Sequence, residues 1–259
     1  MKNLSNIISI ITATYNRADT IAQCLDSVAM QGYKNLEHVV IDGASTDGTL
    51  AVFQSRQDQI AYLVSEPDLG IYDALNKGVK NATGDVIGLI HADDIYASHQ
   101  VLAAVAAAFG NPNTQAVYGD LQYVSRADPA RVIRHWRAGE FSKAKLARGW
   151  MPPHPTLFLR RQVYEQVSAG GLPFNTRYRI TADYDFMLRV LNTLAADQIV
   201  YLPKVLVKMR LGGASNRSLG AIVRKSAEDY RALRNNGFSV PASIWALGWK
   251  NLSKIGQFL

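Results

Sequence analysis

A short apolar strand that leads to two adjacent carboxylates constrains this chain more than any other feature. Residues 86–90 are apolar or small, which predicts a strand buried on both faces. Asp93 and Asp94 follow shortly after it. Because burying an unpaired carboxylate costs several kcal/mol, we expect both acids where the sheet opens to solvent. Two acids there indicate a site for a divalent cation, Mg²⁺ or Mn²⁺; an exposed turn that caps the next helix is the alternative.

The composition is that of a folded chain with a positive charge. With 259 residues, 48% of them hydrophobic and 19% charged, the chain can bury a full core. The single cysteine, Cys24, excludes an internal disulfide framework and suits a reducing cytoplasm. We expect neither a signal peptide nor a membrane-spanning helix, because no stretch is long and apolar enough. The net charge of +7 favours anionic partners: nucleotide phosphates, an acidic membrane surface or nucleic acid.

Strands and helices alternate through residues 1–110. Hydrophobic patterns predict strands at residues 7–12, 36–41, 60–64 and 86–90, with helices between them. This alternation is typical of an α/β fold with a parallel sheet and right-handed crossovers. A polar loop follows each strand, and parallel strands bring such loops to one edge of the sheet. The convergence predicts a binding site at that edge.

Residues 111–217 have shorter and less regular elements. We predict a helix near Thr181 and strands at residues 116–120, 121–124, 131–136, 156–159, 199–202 and 205–211, the second and third as an antiparallel pair. C-terminal helices are predicted over 218–259, the first of them basic. In the last one, Trp245 and Trp249 lie on one side with further apolar residues. That side either lies on an anionic membrane surface or packs on the domain or on another subunit.

Several loop and helix motifs, in the same order along the chain, together resemble family-2 glycosyltransferases with a GT-A fold. The matching stretches are residues 12–16, 42–49, 65–78 and the acidic pair, and residues 150–158, 181–189 and 207–216 resemble a bacterial surface-polysaccharide branch. The resemblance covers residues 5–235. It implies an α/β fold with a mostly parallel, nucleotide-binding half, a mixed acceptor-side half and C-terminal helices. It also implies a nucleotide-sugar donor.

The resemblance assigns donor contacts to the loops after the first three strands. Tyr15 would stack on the nucleobase, and backbone groups of Thr12 and Ala13 would read its edge. Asp42 would accept a hydrogen bond from the base or ribose, and Asn76 and Lys77 lie near the diphosphate. Asp47 has a structural role instead, because it caps the next helix.

The resemblance also places a metal and a base. Asp93 would contact the metal, and Asp94 would act through water or on the donor sugar. His91, which stands where relatives carry an acid, is either a nitrogen ligand or a packed histidine. Asp183 would be the general base, with Asp185 as a less favoured substitute; without the resemblance, Asp183 is simply an acid at a helix start, capped by Thr181.

Two further residues are assigned to the acceptor side. His154 would contact the acceptor or the diphosphate, or it is a structural turn residue. Arg210, with the segment 211–216, would form a lid over the donor.

The function implied is inverting, metal-dependent sugar transfer, with a UDP-sugar as the favoured donor. The acceptor would be a saccharide on a lipid carrier, in O-antigen, capsule or exopolysaccharide assembly at the cytoplasmic face of the membrane. A homodimer stays open, and nucleic acid is not an expected partner. One alternative is a metal-dependent nucleotidyltransferase, which the glycine-free residues 13–16 oppose. The other is a non-catalytic basic module that binds membrane or nucleic acid.

Overall fold

The computed structural model describes residues 6–168, 170–212 and 219–252. The strands of this part of the chain are β1 Ile8–Thr14, β2 Leu36–Asp42, β3 Tyr62–Ser65, β4 Val86–Leu89, β5 Ile95–Tyr96, β6 Ala116–Val124, β7 Val132–Trp136, β8 Phe158–Arg160 and β9 Ile199–Arg210. The α-helices are α1 Ile21–Ala29, α2 Thr49–Gln54, α3 Ile71–Asn81, α4 Val101–Ala108, α5 Lys143–Ala147, α6 Arg161–Val167, α7 Ala182–Thr193, α8 Leu219–Asn235 and α9 Val240–Leu252.

One mixed sheet runs through both halves of the chain. Its strand order is β3-β2-β1-β4-β8-β6-β9-β5, with β7 paired to β6. The pairs β1–β2, β1–β4 and β2–β3 are parallel, as the alternating pattern predicts. The short strand β8 is antiparallel to both β4 and β6 and joins the two halves. The predicted α/β class, with a mostly parallel first half and a mixed second half, is confirmed.

Three predicted boundaries in the second half were wrong: the breaks after residues 120 and 202, and the start of a strand at residue 156. Residues 116–124 form one strand, whose end pairs with β7, and residues 199–210 also form one strand. Pro203 does not break β9, because a register shift against β6 near Gly119 accommodates it. A 3₁₀ turn, His154–Thr156, precedes β8. The two-residue strand β5 was not predicted, because a pattern of two residues carries no periodicity.

The two faces of the sheet are covered by different helices. Alternate residues of β1 point to opposite faces, so Ile10 packs with α1 and α4 while Ile11 packs with α3 and α7. The residues of α1 that are buried, Ile21, Cys24, Leu25 and Val28, are those its spacing predicts. Cys24 is buried as a free thiol, as expected of a core residue.

The last helix packs through small residues and exposes its tryptophans. Ser243 and Ala246 of α9 are fully buried, and the backbone of Ala246 lies against Gly149. Trp245 is 61% exposed and Trp249 is 49% exposed. One face of the tail therefore packs on the domain, and the face that carries the two tryptophans is exposed; the membrane contact stays a prediction. Residues 253–259 of the predicted tail lie outside the described part of the chain. Within the described part, no helix is long and apolar enough to cross a membrane.

We expect Gly78→Ala to destabilise the protein, although alanine favours helices by about 1 kcal/mol. Gly78 lies in α3 against β1, and a Cβ there would collide with the side chain of Ile11. Overpacking of this kind costs about 1–3 kcal/mol, so the free energy of unfolding should fall. Urea denaturation measures this change. The control is Gly248→Ala in α9, where no atom stands in the way; equal stability of the two variants would contradict the close packing of α3 on β1.

Candidate functional site

The polar loops after β1 to β4 meet at one edge of the sheet, which we call the polar rim. The register places Thr14 beside Asp42, and Asp42 beside Ser65, at the carboxyl ends of three neighbouring strands. Asn16 and Ala44, in the first two loops, have positive φ angles of 51° and 60°. Backbone strain in residues other than glycine is concentrated at functional sites. The rim therefore has the place and the strain of a binding site.

Asp42 anchors the rim. It is fully buried, and its carboxylate accepts hydrogen bonds from the backbone and hydroxyl of Ser45 and from the hydroxyl of Ser65 at 2.6 Å. The predicted contact of Asp42 with a donor would use the remaining acceptor capacity of this carboxylate and stays a prediction. Asp47 accepts a hydrogen bond from the backbone of Thr49 at 2.9 Å, which agrees with its predicted structural role at the start of α2.

The first loop leaves one aromatic ring in the open. Tyr15 is 57% exposed, so its ring is free to stack on a planar ligand. Thr12 and Ala13 are buried in β1, and the Thr12 hydroxyl lies 2.9 Å from the Nε2 atom of His38. Their side chains are therefore not presented to a ligand, and both residues lie in the pairing of β1 with β2, so the backbone contact that the resemblance assigns to them stays a prediction.

Asn76 and Lys77 of α3 are engaged by the protein itself. The Asn76 amide donates to the carbonyl of Phe174 at 2.8 Å and accepts from its N–H at 2.9 Å. The Lys77 Nζ atom lies 2.8 Å from Glu66 and 3.5 Å from Asp73. Asn76 therefore joins the two halves of the chain, and its amide would have to leave Phe174 to bind a diphosphate directly. To reach a diphosphate, Lys77 would have to break its contacts with these two carboxylates.

The acidic pair after β4 is arranged in depth. Asp93 is half-buried, whereas Asp94 is only 1% exposed. The Oδ1 atom of Asp94 accepts the backbone N–H of Arg210 at 3.2 Å, and its buried Oδ2 atom has no partner in the described part of the chain. Burial, reinforced by Asp93, raises the pKa of Asp94 well above its usual range. The expectation that both acids lie in solvent is therefore corrected for Asp94.

The predicted lid residue Arg210 lies within the sheet. It ends β9, is buried, and donates from its guanidinium to the carbonyl of Asp93 at 2.5 Å and to Gln23. Its side chain thus holds the turn that carries the acidic pair, which corrects its assignment to a lid. Residues 213–216 of the proposed lid lie outside the described residues.

The acidic pair fits a metal site that needs ligands from elsewhere. Within the described residues, no group of three or more histidine, cysteine or acidic side chains forms a metal site. The unpartnered, buried oxygen of Asp94 beneath the half-buried Asp93 does suit a cation, since a nearby positive charge would offset the cost of its burial. Mg²⁺ and Mn²⁺ often take only one or two carboxylates and complete their shell with phosphate oxygens and water.

Asp183 forms a cluster with three further side chains from the two halves of the chain. We call Tyr72, His91, His154 and Asp183 the Asp183 cluster. The Tyr72 hydroxyl lies 2.6 Å from the carbonyl oxygen of Ile180 and 3.0 Å from the Oδ1 atom of Asp183, so its single proton is shared between these two acceptors. The Nδ1 atom of His154 lies 3.7 Å from the Oδ2 atom of Asp183, and its Nε2 atom lies 3.1 Å from the Nε2 atom of His91.

The protonation of this cluster follows from its burial. Burial, together with His91, lowers the pKa of His154 to about 4, and burial lowers the pKa of His91 as well. Both rings are therefore neutral at pH 7, and one donates to the other. Burial and the charge of Asp183 raise the pKa of Tyr72, so its hydroxyl stays a donor. Asp183 is left as a half-buried carboxylate with one oxygen held by Tyr72 and the other beside an uncharged histidine.

A buried glutamate of α8 positions the start of α7, a contact that no sequence pattern indicates. Glu228 accepts the backbone N–H of Ile180 at 2.9 Å and both the N–H and the hydroxyl of Thr181 at 3.3 Å. The sequence predicted that the Thr181 side chain caps α7, but its hydroxyl donates to Glu228 instead. The proposed substitute base, Asp185, is buried in a salt bridge with Arg189 at 3.0 Å, so it is not available to a substrate.

Comparison with known proteins gives the chain a family. A model described as Glycosyl transferase family 2 matches residues 9–169. The PGL/p-HBAD biosynthesis glycosyltransferase of Mycobacterium tuberculosis is 35% identical over 187 residues, which are 71% of this chain and 69% of that protein.

Two solved structures show the same fold. S. aureus TarS 1-349 in complex with UDP-GlcNAc has a TM-score of 0.66 at 17% identity, covering 93% of this chain and 70% of that one. The mannosyltransferase PcManGT from Pyrobaculum calidifontis, in complex with GDP-Man and Mn²⁺, has a TM-score of 0.63 at 22% identity, covering 96% and 70%.

The family match includes the polar rim, Asp93 and His154, whereas Asp183 lies beyond the matched residues. The likeness to the solved structures supports the GT-A fold expected from the sequence. The chain therefore belongs to glycosyltransferase family 2.

Proposed function

We propose that the protein transfers a sugar from a nucleotide-sugar, with a UDP-sugar as the first candidate, to a hydroxyl of a saccharide acceptor, with inversion at the anomeric carbon. The observation that carries this proposal is the half-buried carboxylate of Asp183, held by Tyr72 and placed beside a neutral histidine. Residues 1–110 would hold the donor and residues 111–217 the acceptor. TarS binds UDP-GlcNAc in a structure of the same fold, which supports a donor of this kind.

Asp183 would act as the general base. The Tyr72 hydroxyl occupies Oδ1, so Oδ2 is the atom that takes the proton of the acceptor hydroxyl. The oxygen of that hydroxyl then bonds to the anomeric carbon as the bond from this carbon to the diphosphate breaks. A single displacement of this kind inverts the configuration. Because His154 is neutral, it does not form an ion pair that would hold the carboxylate away from the acceptor.

A divalent metal would be held by Asp93, with Asp94 behind it, and would neutralise the charge that grows on the leaving diphosphate. PcManGT was solved with Mn²⁺, which supports this choice of ion. Tyr15 would stack on the nucleobase. The nucleotidyltransferase and non-catalytic alternatives lose ground with the family assignment.

Asp183→Asn should lower the rate of sugar transfer about 100-fold or more, because the amide cannot take a proton. Donor binding should be unchanged, since the substitution preserves the shape of the side chain. The measurement is nucleoside diphosphate release from a panel of UDP-sugars with saccharide acceptors, together with calorimetric titration of UDP. Asp128→Asn, in an exposed loop, is the control. If Asp183→Asn turns over like Asp128→Asn, Asp183 is not the base, and retention at the anomeric carbon of the product would rule out the single displacement.

Asp93→Ala should abolish the metal dependence of donor binding. In the native protein, UDP should bind more tightly with Mn²⁺ than with EDTA, because Asp93 would hold a cation that offsets the negative charge of the diphosphate. Calorimetry in both buffers measures the difference, with GDP, dTDP and CMP titrated alongside to identify the base. A native-like response to Mn²⁺ in the variant would show that the metal binds elsewhere.

We also propose that the acceptor is linked to a lipid and that the protein works at the cytoplasmic face of a membrane, in surface polysaccharide assembly. The support is the bare apolar face of α9, with Ile244, Trp245 and Trp249 exposed. Tryptophan is favoured at the interface between water and lipid. The same face could instead join two copies of the chain.

Trp245→Ala with Trp249→Ala should lower binding to vesicles that contain anionic lipid by at least about tenfold. The double substitution removes the two large apolar side chains that α9 exposes. Vesicle sedimentation measures binding, and light scattering measures the oligomeric state. Val132→Ala with Ile133→Ala, on the exposed strand β7, is the control. If the tryptophan variant binds vesicles normally but dissociates a native dimer, the face is a subunit interface.

A further inference from the structure

Four arginines line an open cleft beside α8 that the proposed chemistry does not use. This arginine cleft has a volume of about 340 Å³ and is lined by Arg177, Arg179, Arg224, Ala227, Glu228 and Arg231. All four arginines are exposed. No residue of the polar rim or of the Asp183 cluster lines the cleft, so it is a separate feature of the surface.

Within the described part of the chain, the one carboxylate of the cleft offsets only part of its positive charge. Its one carboxylate, Glu228, is buried and spends its oxygens on the backbone of residues 179–181. Among the described residues, none of the four guanidinium groups forms a salt bridge. Four positive charges around one cleft repel each other, and a multiply charged anion would relieve that repulsion.

The arginine cleft is tied to Asp183 by the backbone. Arg179 is four residues before Asp183, so their Cα atoms are at most about 14 Å apart even in an extended chain. Between them, Ile180 donates its N–H to Glu228 at the cleft and accepts the Tyr72 hydroxyl at the Asp183 cluster. The position of the cleft relative to the base is thus fixed by hydrogen bonds on both sides.

We propose that the arginine cleft binds a phosphate or diphosphate group carried by the acceptor. Guanidinium groups offer paired N–H donors that match phosphate oxygens, and several of them together suit a group with more than one negative charge. The donor diphosphate is not the occupant, because the loops of the polar rim contribute nothing to the cleft. The assignment to the acceptor rests on the proposed function; the anion site itself does not.

The first test is calorimetric titration of inorganic pyrophosphate in buffer with EDTA, which removes any metal. Arg224→Gln with Arg231→Gln should weaken binding at least tenfold, because it removes two of the four charged partners. Both residues are exposed, so the fold should survive. The control, Arg131→Gln with Lys204→Gln, removes two exposed positive charges elsewhere. Unchanged affinity in the cleft variant, or an equal loss in the control, would overturn the site.

A second arm separates an acceptor phosphate from the headgroups of a membrane. The same variants are sedimented with phosphatidylcholine vesicles, with and without phosphatidylglycerol. If the cleft binds the acceptor, the cleft variant should bind anionic vesicles as the control variant does. If the cleft variant, and not the control variant, loses vesicle binding at least tenfold, the cleft binds lipid headgroups. That result would overturn the assignment to the acceptor.

Titration of UDP with Mn²⁺ keeps this proposal apart from the proposed function. The cleft variant should bind UDP as the native protein does. Pyrophosphate binding that depends on the cleft, in a protein that binds no nucleoside diphosphate, would support the anion site and remove its link to sugar transfer. Normal UDP binding with pyrophosphate affinity that is the same in native and variant protein would overturn the cleft alone.

Discussion

The cost of burying a carboxylate decides which acids of this site can do chemistry. A buried carboxylate needs hydrogen bonds or a counter-charge, and the fold supplies these to Asp42, Asp185 and Glu228. Asp94 accepts one hydrogen bond, and its second oxygen has no partner among the described residues. Asp93 and Asp183 remain half-buried. The acids that a substrate or metal can reach are therefore those that the fold has not used to hold loops and helix ends.

The sequence predicted the elements better than the contacts between them. Hydrophobic patterns identified the parallel strands, and a spacing of three to four residues identified the buried face of α1. Both signals exist because burial repeats along a single element. Spacing could not reveal that Asn76 binds the backbone of Phe174, or that Glu228 binds residues before α7, because these partners are far apart in the chain. The sequence therefore identified candidate residues within the motifs, but tertiary contacts decide whether each side chain faces a ligand or the protein.

The Asp183 cluster shows the same division. Asp183 was identified from its resemblance to a family motif and Tyr72 from its place in another, yet nothing in the sequence indicated that they would share a hydrogen bond. His91 and His154 were each treated alone, although together they form a neutral pair beside the carboxylate. This arrangement needs α3 and the end of β4 from the first half of the chain, and α7 and the turn before β8 from the second.

The strand β8 has a consequence for the order in which the chain can form. It is the partner that covers one edge of β4, and it comes much later in the sequence than β4 itself. Until β8 arrives, that edge exposes unpaired backbone groups, which favour pairing with other chains. Contacts between distant parts of a sequence also form slowly. A growing chain thus holds its first half with an open sheet edge until three residues from the second half close it.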